Sequence, residues 1–564
     1  MTQTVETVTS DVLVIGGGIG GLTAAIKARG HDADVLVVDK GGIGWAGQVP
    51  ISGGRSMVIL PEESVDNWVK WAVENGEYLN DQDWTRRFGE KVHECTMDLA
   101  GWGMPFFKQA NQLNIIPRMK AYKAVQFPAK KLMPKMWSHA RKKGVRMMDK
   151  VAIVDLISKD GAVTGALGLG LTDNRFYLFR AKAFIIANGS CRYKRQKGFN
   201  MCNGEGVVMA YRAGARLRNA EFSNTYGYCS VGYEVFTRNP IYYFFVNSKG
   251  ENILLKHFPD MREAMETKRE KQDYSKITEA MAREVFAGNG PIYLDLTRST
   301  PEELDFARGT HLAKDGSVIS GFWDTLPAKG IHPDREKVEM MPMFVGGQGP
   351  IRVDLECRTN VSRLWAIGDA SALGCGWSGA RSPGTVPAVG IPFAFVSGSL
   401  AGTSAGVFVK DAPETAVDMR EVTARKEEIL SPLKRGKGPN HRDLICQIHE
   451  AVVPLNYNFF RKKDRLKEAI GMLEKAREDV GHGVAKDFHQ LVKLAEAEAM
   501  AVSGEITFRA ALMRQESRGT HMREDFQDQD NVDWLKWIIV EQQDDRMHLF
   551  TEPVPMDKYK YNIK

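Results

Sequence analysis

The sequence predicts an α/β protein in three parts: a nucleotide-fold first domain carried by two separate stretches of chain, an inserted α+β domain between them, and a C-terminal helical domain. Three observations predict it. Near the N-terminus a short apolar strand opens directly into a glycine-rich turn and a helix. In the middle of the chain the composition shifts to aromatics, charges and mixed short elements, after which a strand-and-glycine pattern returns. Beyond about Glu421 the chain is charged, with apolar residues at helical spacing from Leu466 to Arg514.

The first element is Asp11-Val-Leu-Val-Ile-Gly16-Gly-Gly18-Ile-Gly-Gly21. Asp11 to Ile15 reads as a short buried strand, because apolar residues stand together with no polar break. Gly16, Gly18 and Gly21 then have the spacing of a dinucleotide-binding turn, with Gly20 inside it. The first glycine allows the tight bend, the second lets a pyrophosphate approach the backbone, and the third lets helix and strand pack closely. The helix Leu22 to Arg29 turns its N-terminal amides and positive dipole end toward the phosphates. A second strand, Val35-Leu-Val-Val38, ends in Asp39, whose carboxylate can accept both ribose hydroxyls of an adenosine, with Lys40 beside it. Strand, turn, helix, strand and acid in this order make a Rossmann-like unit.

The chain has 564 residues, enough for several domains, and its 43% hydrophobic and 26% charged content is that of a soluble globular protein. No apolar run in the sequence approaches the roughly 20 residues that span a bilayer, and the N-terminus lacks the basic and apolar regions of a secretory signal. The expectation is a cytoplasmic protein with no direct membrane span. The net charge of +6 implies a mixed surface with basic areas, among them Lys130-Lys131 with Lys135, Arg141-Lys-Lys143 and Arg461-Lys-Lys463. Such areas can steer an anionic substrate or an acidic electron-transfer protein, and no nucleic-acid-binding motif accompanies them. The seven cysteines are scattered, with no spacing that would hold zinc or an iron–sulfur cluster. No metal site is expected, and iron–sulfur centres, if used, belong to another chain.

Helical patterns follow Ser52-Gly53-Gly54, at Ser64 to Glu77 and Trp84 to Trp102. From Val151 to Ile186 the pattern becomes short strands and turns, and Asn203-Gly-Glu205-Gly206 opens another helix with an acid at its first turn. Domain boundaries are placed at 1–232 for the first part of the nucleotide-binding domain, 233–345 for the insertion, 346–415 for the second part, 416–548 for the helical domain and 549–564 for an extended tail.

Several segments together resemble one family, the flavoprotein subunits of succinate dehydrogenase and fumarate reductase, with L-aspartate oxidase and the α chain of adenylylsulfate reductase. They are the glycine fingerprint, Ser52-Gly53-Gly54, Ala183-Phe-Ile-Ile-Ala187-Asn188-Gly189, Asn203-Gly-Glu205-Gly206 with its helix, Gly288-Asn-Gly-Pro-Ile-Tyr-Leu-Asp295, Leu364-Trp-Ala-Ile-Gly368-Asp369, and Glu516-Ser-Arg518-Gly519-Thr-His521-Met-Arg523-Glu-Asp525-Phe526. Gly290-Pro-Ile-Tyr-Leu looks most like the adenylylsulfate reductase branch. The resemblance implies an FAD-binding domain, a capping domain over the flavin, electron-pair transfer at flavin N5, and a ferredoxin-like iron–sulfur partner in a hetero-oligomer. It also implies FAD contacts at Ser52, Gly53, Gly54, Ala187, Asn188, Gly189, Asn203, Glu205, Gly368 and Asp369.

The departures from the family are informative. Where membrane-bound members carry a histidine that bonds covalently to the flavin, this chain has Gly47 or another residue of Trp45-Ala-Gly-Gln-Val, so the FAD should be noncovalent. Tyr226 stands near the first substrate histidine, with Tyr228 close by. Met340-Met-Pro-Met-Phe344-Val-Gly346-Gly347 contains no second one, and the proton-delivering arginine has no clear counterpart, Arg283 being the nearest. One piece survives: Gly379-Ala-Arg381-Ser-Pro-Gly384 resembles the glycine-flanked arginine that grips a substrate carboxylate. These departures predict an FAD-dependent reductase of an anionic small molecule other than succinate or fumarate, with Arg381, Tyr226, Tyr228 and Arg283 as candidate catalytic residues and His521 as a structural histidine. Trp377 and Phe344 serve either as a wall over the flavin ring or as core packing. Two alternatives stay open: an α-like chain of an adenylylsulfate reductase, acting on a sulfur compound, and a non-catalytic flavoprotein that relays electrons within a complex.

Overall fold

The computed structural model describes residues 4–119, 121–194, 201–232, 236–237, 244–259, 274–309 and 322–563. Five parallel strands form the central sheet, in the order Leu364–Ala366, Ala183–Ile186, Val12–Ile15, Val35–Asp39 and Arg146–Asp149. Val12–Ile15 and Ala183–Ile186 are buried at every residue, as continuous apolar strands covered on both faces must be. Because the Leu364–Ala366 strand pairs directly with Ala183–Ile186, the domain is completed only after the insertion.

Helix Ile19–Arg29 follows the fingerprint turn and packs against helix Gly390–Asp411. The approach is close. A Cβ added at Gly398 would lie 2.4 Å from the Gly20 carbonyl oxygen, and one at Gly402 would lie 2.2 Å from that of Ala24. Gly390–Asp411 corrects the expectation that no apolar run reaches membrane-spanning length. It is the one helix among the described residues long and apolar enough to cross a bilayer, and 67% of its apolar window is buried within the protein.

A second, four-stranded sheet takes up the chain from Val151 to Arg180, as the strands Val151–Lys159, Ala162–Gly170 and Phe176–Arg180, joined by Val5–Thr9. Val5–Thr9 was not anticipated from sequence. No residue in it is fully buried, so it lacks an apolar pattern and is held by parallel pairing to Phe176–Arg180.

The inserted sheet begins earlier than position 233. Asn224–Ser230 pairs antiparallel with Val338–Gly347, and Ile292–Leu294 and Phe245–Val246 extend the sheet. Tyr228, Phe245, Ile253, Ile277 and Ile292 share its separate core. At the C-terminal end, helices His441–Val452, Lys463–Gly481 and Phe488–Met513 form a bundle. The division at 548 falls inside a hairpin: Arg546–Pro553 pairs along its whole length with Lys536–Gln543, which itself joins Leu217–Arg218. The tail is tied down by Val554 and Tyr559, which bury against Leu79 and Trp537.

Candidate functional site

The glycine turn leaves the sheet beside the loop that follows Ala183–Ile186. Gly16 has φ +115°, and a Cβ there would lie 2.6 Å from the Ala187 carbonyl carbon, so no other residue fits. Gly18 caps the helix in an extended conformation. A Cβ at Gly18 would meet no protein atom within 4 Å, so the fold alone does not require glycine there, and the open space lies where a pyrophosphate would approach. At the end of Val35–Asp39, the Asp39 carboxylate accepts hydrogen bonds from the Gly17 and Gly41 amides, both at 2.6 Å. Each carboxylate oxygen keeps a second lone pair for a hydroxyl.

These elements open onto a cavity of about 1440 Å³, above the common range of roughly 300–1,000 Å³ for small-ligand sites and roomy enough for a dinucleotide with a second molecule. Of the cofactor candidates, Gly16, Gly18, Gly20, Asp39, Lys40, Ser52, Gly53, Ala187, Asn188, Gly189, Glu205, Gly368 and Asp369 line it. Gly21, Gly54 and Asn203 stand behind the wall. A Cβ at Gly21 would lie 2.0 Å from the Gly16 carbonyl oxygen, Gly54 (φ +59°) turns against the Phe127 carbonyl, and the Asn203 amide donates to Glu205 at 3.0 Å.

Lys40 and Glu205 belong to a partly buried ion network. The Lys40 ammonium is paired with Glu205 and with Glu496 on helix Phe488–Met513, the latter at 2.6 Å. Burial opposes its charge, but the two carboxylates outweigh that and raise its pKa. Both residues therefore clamp the nucleotide-binding strand to the helical domain, in addition to facing the cavity.

The four catalytic candidates are not among the cavity-lining residues. Tyr226 donates from its hydroxyl to the Asn458 carbonyl at 2.7 Å, and burial pushes its pKa up to about 12. Tyr228 packs edge-on against Phe245, 4.9 Å between ring centres, in the insertion's own core. Arg283 lies on the outer face of helix Tyr274–Phe286, paired with Glu279 at 2.7 Å. Arg381 is partly buried near Glu77, whose pKa is raised by burial against the opposing pull of Arg518 and Arg381. Its neighbour Ala380 accepts a hydrogen bond from the Thr520 amide, so Arg381 lies at the seam with the C-terminal segment, while Pro383 and Gly384 reach the cavity.

The wall holds a cation that the sequence pattern did not single out. Arg192 follows the Asn188-Gly189 turn, and its guanidinium, 5% exposed, reaches Asp369 at 3.2 Å and the Gln48 side-chain oxygen at 3.3 Å. Its distance of three residues from Gly189 was the available signal. In all, nine Lys or Arg line the cavity against five Asp or Glu. Three buried polar atoms of lining residues, Asn188 Oδ1, Gln348 Oε1 and Trp377 Nε1, have no hydrogen-bond partner among the described residues. Buried polar atoms are ordinarily satisfied, so these three are suited to a polar ligand. Trp377 is both wall and core: it lines the cavity and packs with Trp68, Phe88 and Phe393. Phe344 packs against Tyr193 and Tyr226, away from the lining. His521 is fully buried, its Nδ1 2.5 Å from an Arg461 nitrogen. Burial and the arginines Arg461, Arg514 and Arg523 hold its pKa well below the usual value, which makes it a neutral acceptor.

Comparison with known proteins places this arrangement. The FAD binding domain family matches residues 11–384, and the fumarate reductase flavoprotein C-terminal domain matches residues 450–564. The chain is 25% identical over 560 residues to one of the subunits of the fumarate reductase (CoM/CoB) of Methanothermobacter marburgensis, covering 94% of this chain and 96% of that protein. It is 23% identical over 552 residues to the L-aspartate oxidase of Vibrio cholerae, covering 92% and 96%. Among solved structures, a variant of E. coli quinol fumarate reductase superposes with a TM-score of 0.81 at 20% identity, covering 98% of each chain. Adenylylsulfate reductase from Archaeoglobus fulgidus gives 0.81 at 18%, covering 99% and 98%. At these identities the structures establish a shared fold. The domain match over most of the chain goes further: the protein belongs to the fumarate reductase and succinate dehydrogenase flavoprotein family of FAD-dependent oxidoreductases.

Proposed function

We propose that this flavoprotein reduces an anionic small molecule, with electrons supplied by a ferredoxin-like iron–sulfur subunit, and that its FAD is held noncovalently. The observation that carries the reading is the excess of cations in the cavity wall, nine against five, with the buried Arg192 among them. FAD brings two phosphate charges of its own, and the excess leaves cations for a second anion. When bound, FAD supplies electron-pair transfer. The chain's residues bind, orient and exclude water. The Gly18 turn and the helix dipole receive the pyrophosphate, Asp39 accepts the ribose hydroxyls, and Trp377 closes an apolar wall. Arg192 grips the anion with its planar fork and stabilises negative charge as it develops. The loop Trp45-Ala-Gly47-Gln-Val contains no histidine. Among the described residues His489 alone of the histidines lines the cavity, on the helix whose Glu496 meets Lys40.

Acid should therefore release all the flavin into the supernatant. In rebinding, Asp39→Ala should weaken FAD affinity by about 1.5–3 kcal/mol, the worth of hydrogen bonds to a charged group. Flavin fluorescence retained by the denatured chain, or unchanged affinity in the variant, would contradict these two points respectively.

The reductase reading is tested by reducing the protein anaerobically and mixing it with carboxylate, sulfonate and adenylylsulfate acceptors and their neutral analogues. Rapid reoxidation by one anion, and slow reoxidation by fumarate, is expected. Turnover of fumarate with reduced viologen at rates typical of enzymes, about 1–10³ per second, would overturn the exclusion of fumarate. Flavin that is reduced by a partner but reoxidised by no anion would replace the reductase with a relay.

A further inference from the structure

The charges of the cavity wall fall into two sets. Each of the five lining acids already holds another group: Asp39 the Gly17 and Gly41 amides, Glu205 and Glu496 the Lys40 ammonium, Glu498 the Arg212 guanidinium and Asp369 that of Arg192. Arg55, Arg118, Lys130 and Lys329 line the same cavity and make up the second set.

The fold gathers the first three. Arg55 opens the strand Arg55–Val58 directly after the Gly53-Gly54 turn and pairs in register with Gln126. Arg118 lies on Ile115–Met119, the third strand of that sheet, where the pairing is irregular between Pro117 and Met119. The Phe127 amide donates to the Gly54 carbonyl at 2.9 Å, and a Cβ at Gly54 would lie 3.7 Å from the Ala129 amide nitrogen. Arg55 and Lys130, each one residue further on, are thereby set close together. The sheet meets the cavity at Pro387 and Ala388, whose carbonyls accept from the Tyr122 hydroxyl and the Met57 amide, both at 2.8 Å. Lys329 comes from the inserted domain, at the end of the short helix Pro327–Lys329. Arg55 and Arg118 are half-buried, whereas Lys130 and Lys329 are exposed, so the lysines stand at the mouth and the arginines deeper.

Helix Ala129–Lys142 gives a second indication. Its first turn carries Lys130 and Lys131 and no acid, and Pro128 at its N-cap offers no side-chain acceptor. Cations at the positive end of a helix dipole are unfavourable, and an anion bound there offsets this.

We infer that Arg55, Arg118, Lys130 and Lys329 form a subsite for a phosphate monoester carried by the anionic substrate, separate from Arg192. The inference rests on the reading of a reductase of anions and names its substrate class. The arginines present planar forks that match phosphate oxygens, and the lysines add point charges at the mouth. A phosphate monoester carries about 1.5–2 negative charges near neutral pH, which suits a set of cations better than one carboxylate does. The phosphates of FAD are received at the Gly18 turn and leave this set to the substrate.

The test uses the FAD-loaded full chain and two probes of similar shape, phenyl phosphate and phenyl sulfate, which differ by about one charge at pH 7.5. Binding is measured by titration calorimetry in the wild type, Arg55→Gln/Arg118→Gln and Lys130→Gln/Lys329→Gln at equal FAD content. Phenyl phosphate should bind the wild type about tenfold more tightly than phenyl sulfate, and each double variant should weaken it about tenfold or more, as loss of charged hydrogen bonds does. The lysine pair is exposed and should leave the melting temperature unchanged, so it decides the matter if the arginine variant fails to load FAD. Phenyl phosphate that the wild type does not bind, binds no better than phenyl sulfate, or binds equally in either FAD-loaded variant overturns the subsite. Inorganic phosphate binding more tightly than phenyl phosphate would make this a site for the free ion, and the substrate assignment fails. Binding is read without electron transfer, so a flavin that no anion reoxidises defeats the reductase reading alone. Rapid reoxidation by an anion without phosphate, at equal rates in both variants, defeats the subsite alone.

Discussion

Glu516→Gln should lower the stability of the FAD-loaded protein by about 3–5 kcal/mol, the cost of breaking a buried ion pair by removing one partner. Glu516 joins two fully buried arginines. It accepts from Arg514 at 2.8 Å and from Arg518 through two nitrogens, each at 2.8 Å, and all three side chains are 0% exposed. Glu221, also 0% exposed, takes the other edge of Arg514 at 2.8 Å. Neutralising Glu516 would leave Arg514 paired with Glu221 alone, and would take from Arg518 the carboxylate that meets it at 2.8 Å. The consequences spread, because Arg514 also donates to the Trp534 and Lys536 carbonyls and Arg518 to the Glu77 carbonyl. One node thus holds the C-terminal hairpin and the first domain together. The measurement is the urea midpoint at fixed FAD concentration, since ligand and multidomain behaviour both shift apparent stability. A loss under about 1 kcal/mol, the worth of an exposed pair, would show that water reaches this node.

The node also shows what the sequence could and could not disclose. Glu516 to Phe526 stands out as a motif, but its role as a buried lattice of arginines and acids depends on Glu221, nearly 300 positions away in the sequence, and no local pattern reports that distance. Four strands of the central sheet were legible because each is an apolar run close to a glycine or an acid, whereas the edge strand Arg146–Asp149, with only Met147 and Met148 apolar and no buried residue, was not. Val5–Thr9 was not, since an edge strand with exposed side chains carries no periodic signal. The hairpin at Lys536–Gln543 and Arg546–Pro553 was lost for a related reason: Arg546–Pro553 has no buried residue, and it reads as tail. The glycine turn and its acid were legible because backbone geometry restricts the residue type. Arg192 was not, because an arginine beside a turn is ordinary until the chain folds it inward against Asp369. Resemblance drew attention instead to Arg381, whose flanking glycines survive while its side chain lies at the seam with the C-terminal segment.

Arg192 and Arg381 can be separated directly. If Arg192 holds the anion, Arg192→Gln should slow reoxidation of the reduced flavin by the anionic acceptor about 10²–10³-fold, the typical loss when one preorganised donor to developing charge is removed. Arg192→Lys should be nearly as slow, because an ammonium keeps the charge but loses the two-pronged geometry. Asp369 and Gln48 lose a partner in both variants, so FAD content has to be matched before rates are compared. Arg381→Ala should act mainly on stability, through the seam it shares with Glu77 and Arg518. Stopped-flow flavin oxidation against acceptor concentration, run on all three variants, distinguishes binding from the chemical step. Should Arg381→Ala lose the rate at full FAD content while Arg192→Gln keeps it, the anion is held at the glycine-flanked arginine, and the loop Gly379 to Gly384 must turn inward when substrate binds. Full rates in every variant would move the anion to other cations of the wall, such as Arg55, Arg118 and Lys130, which also line the cavity.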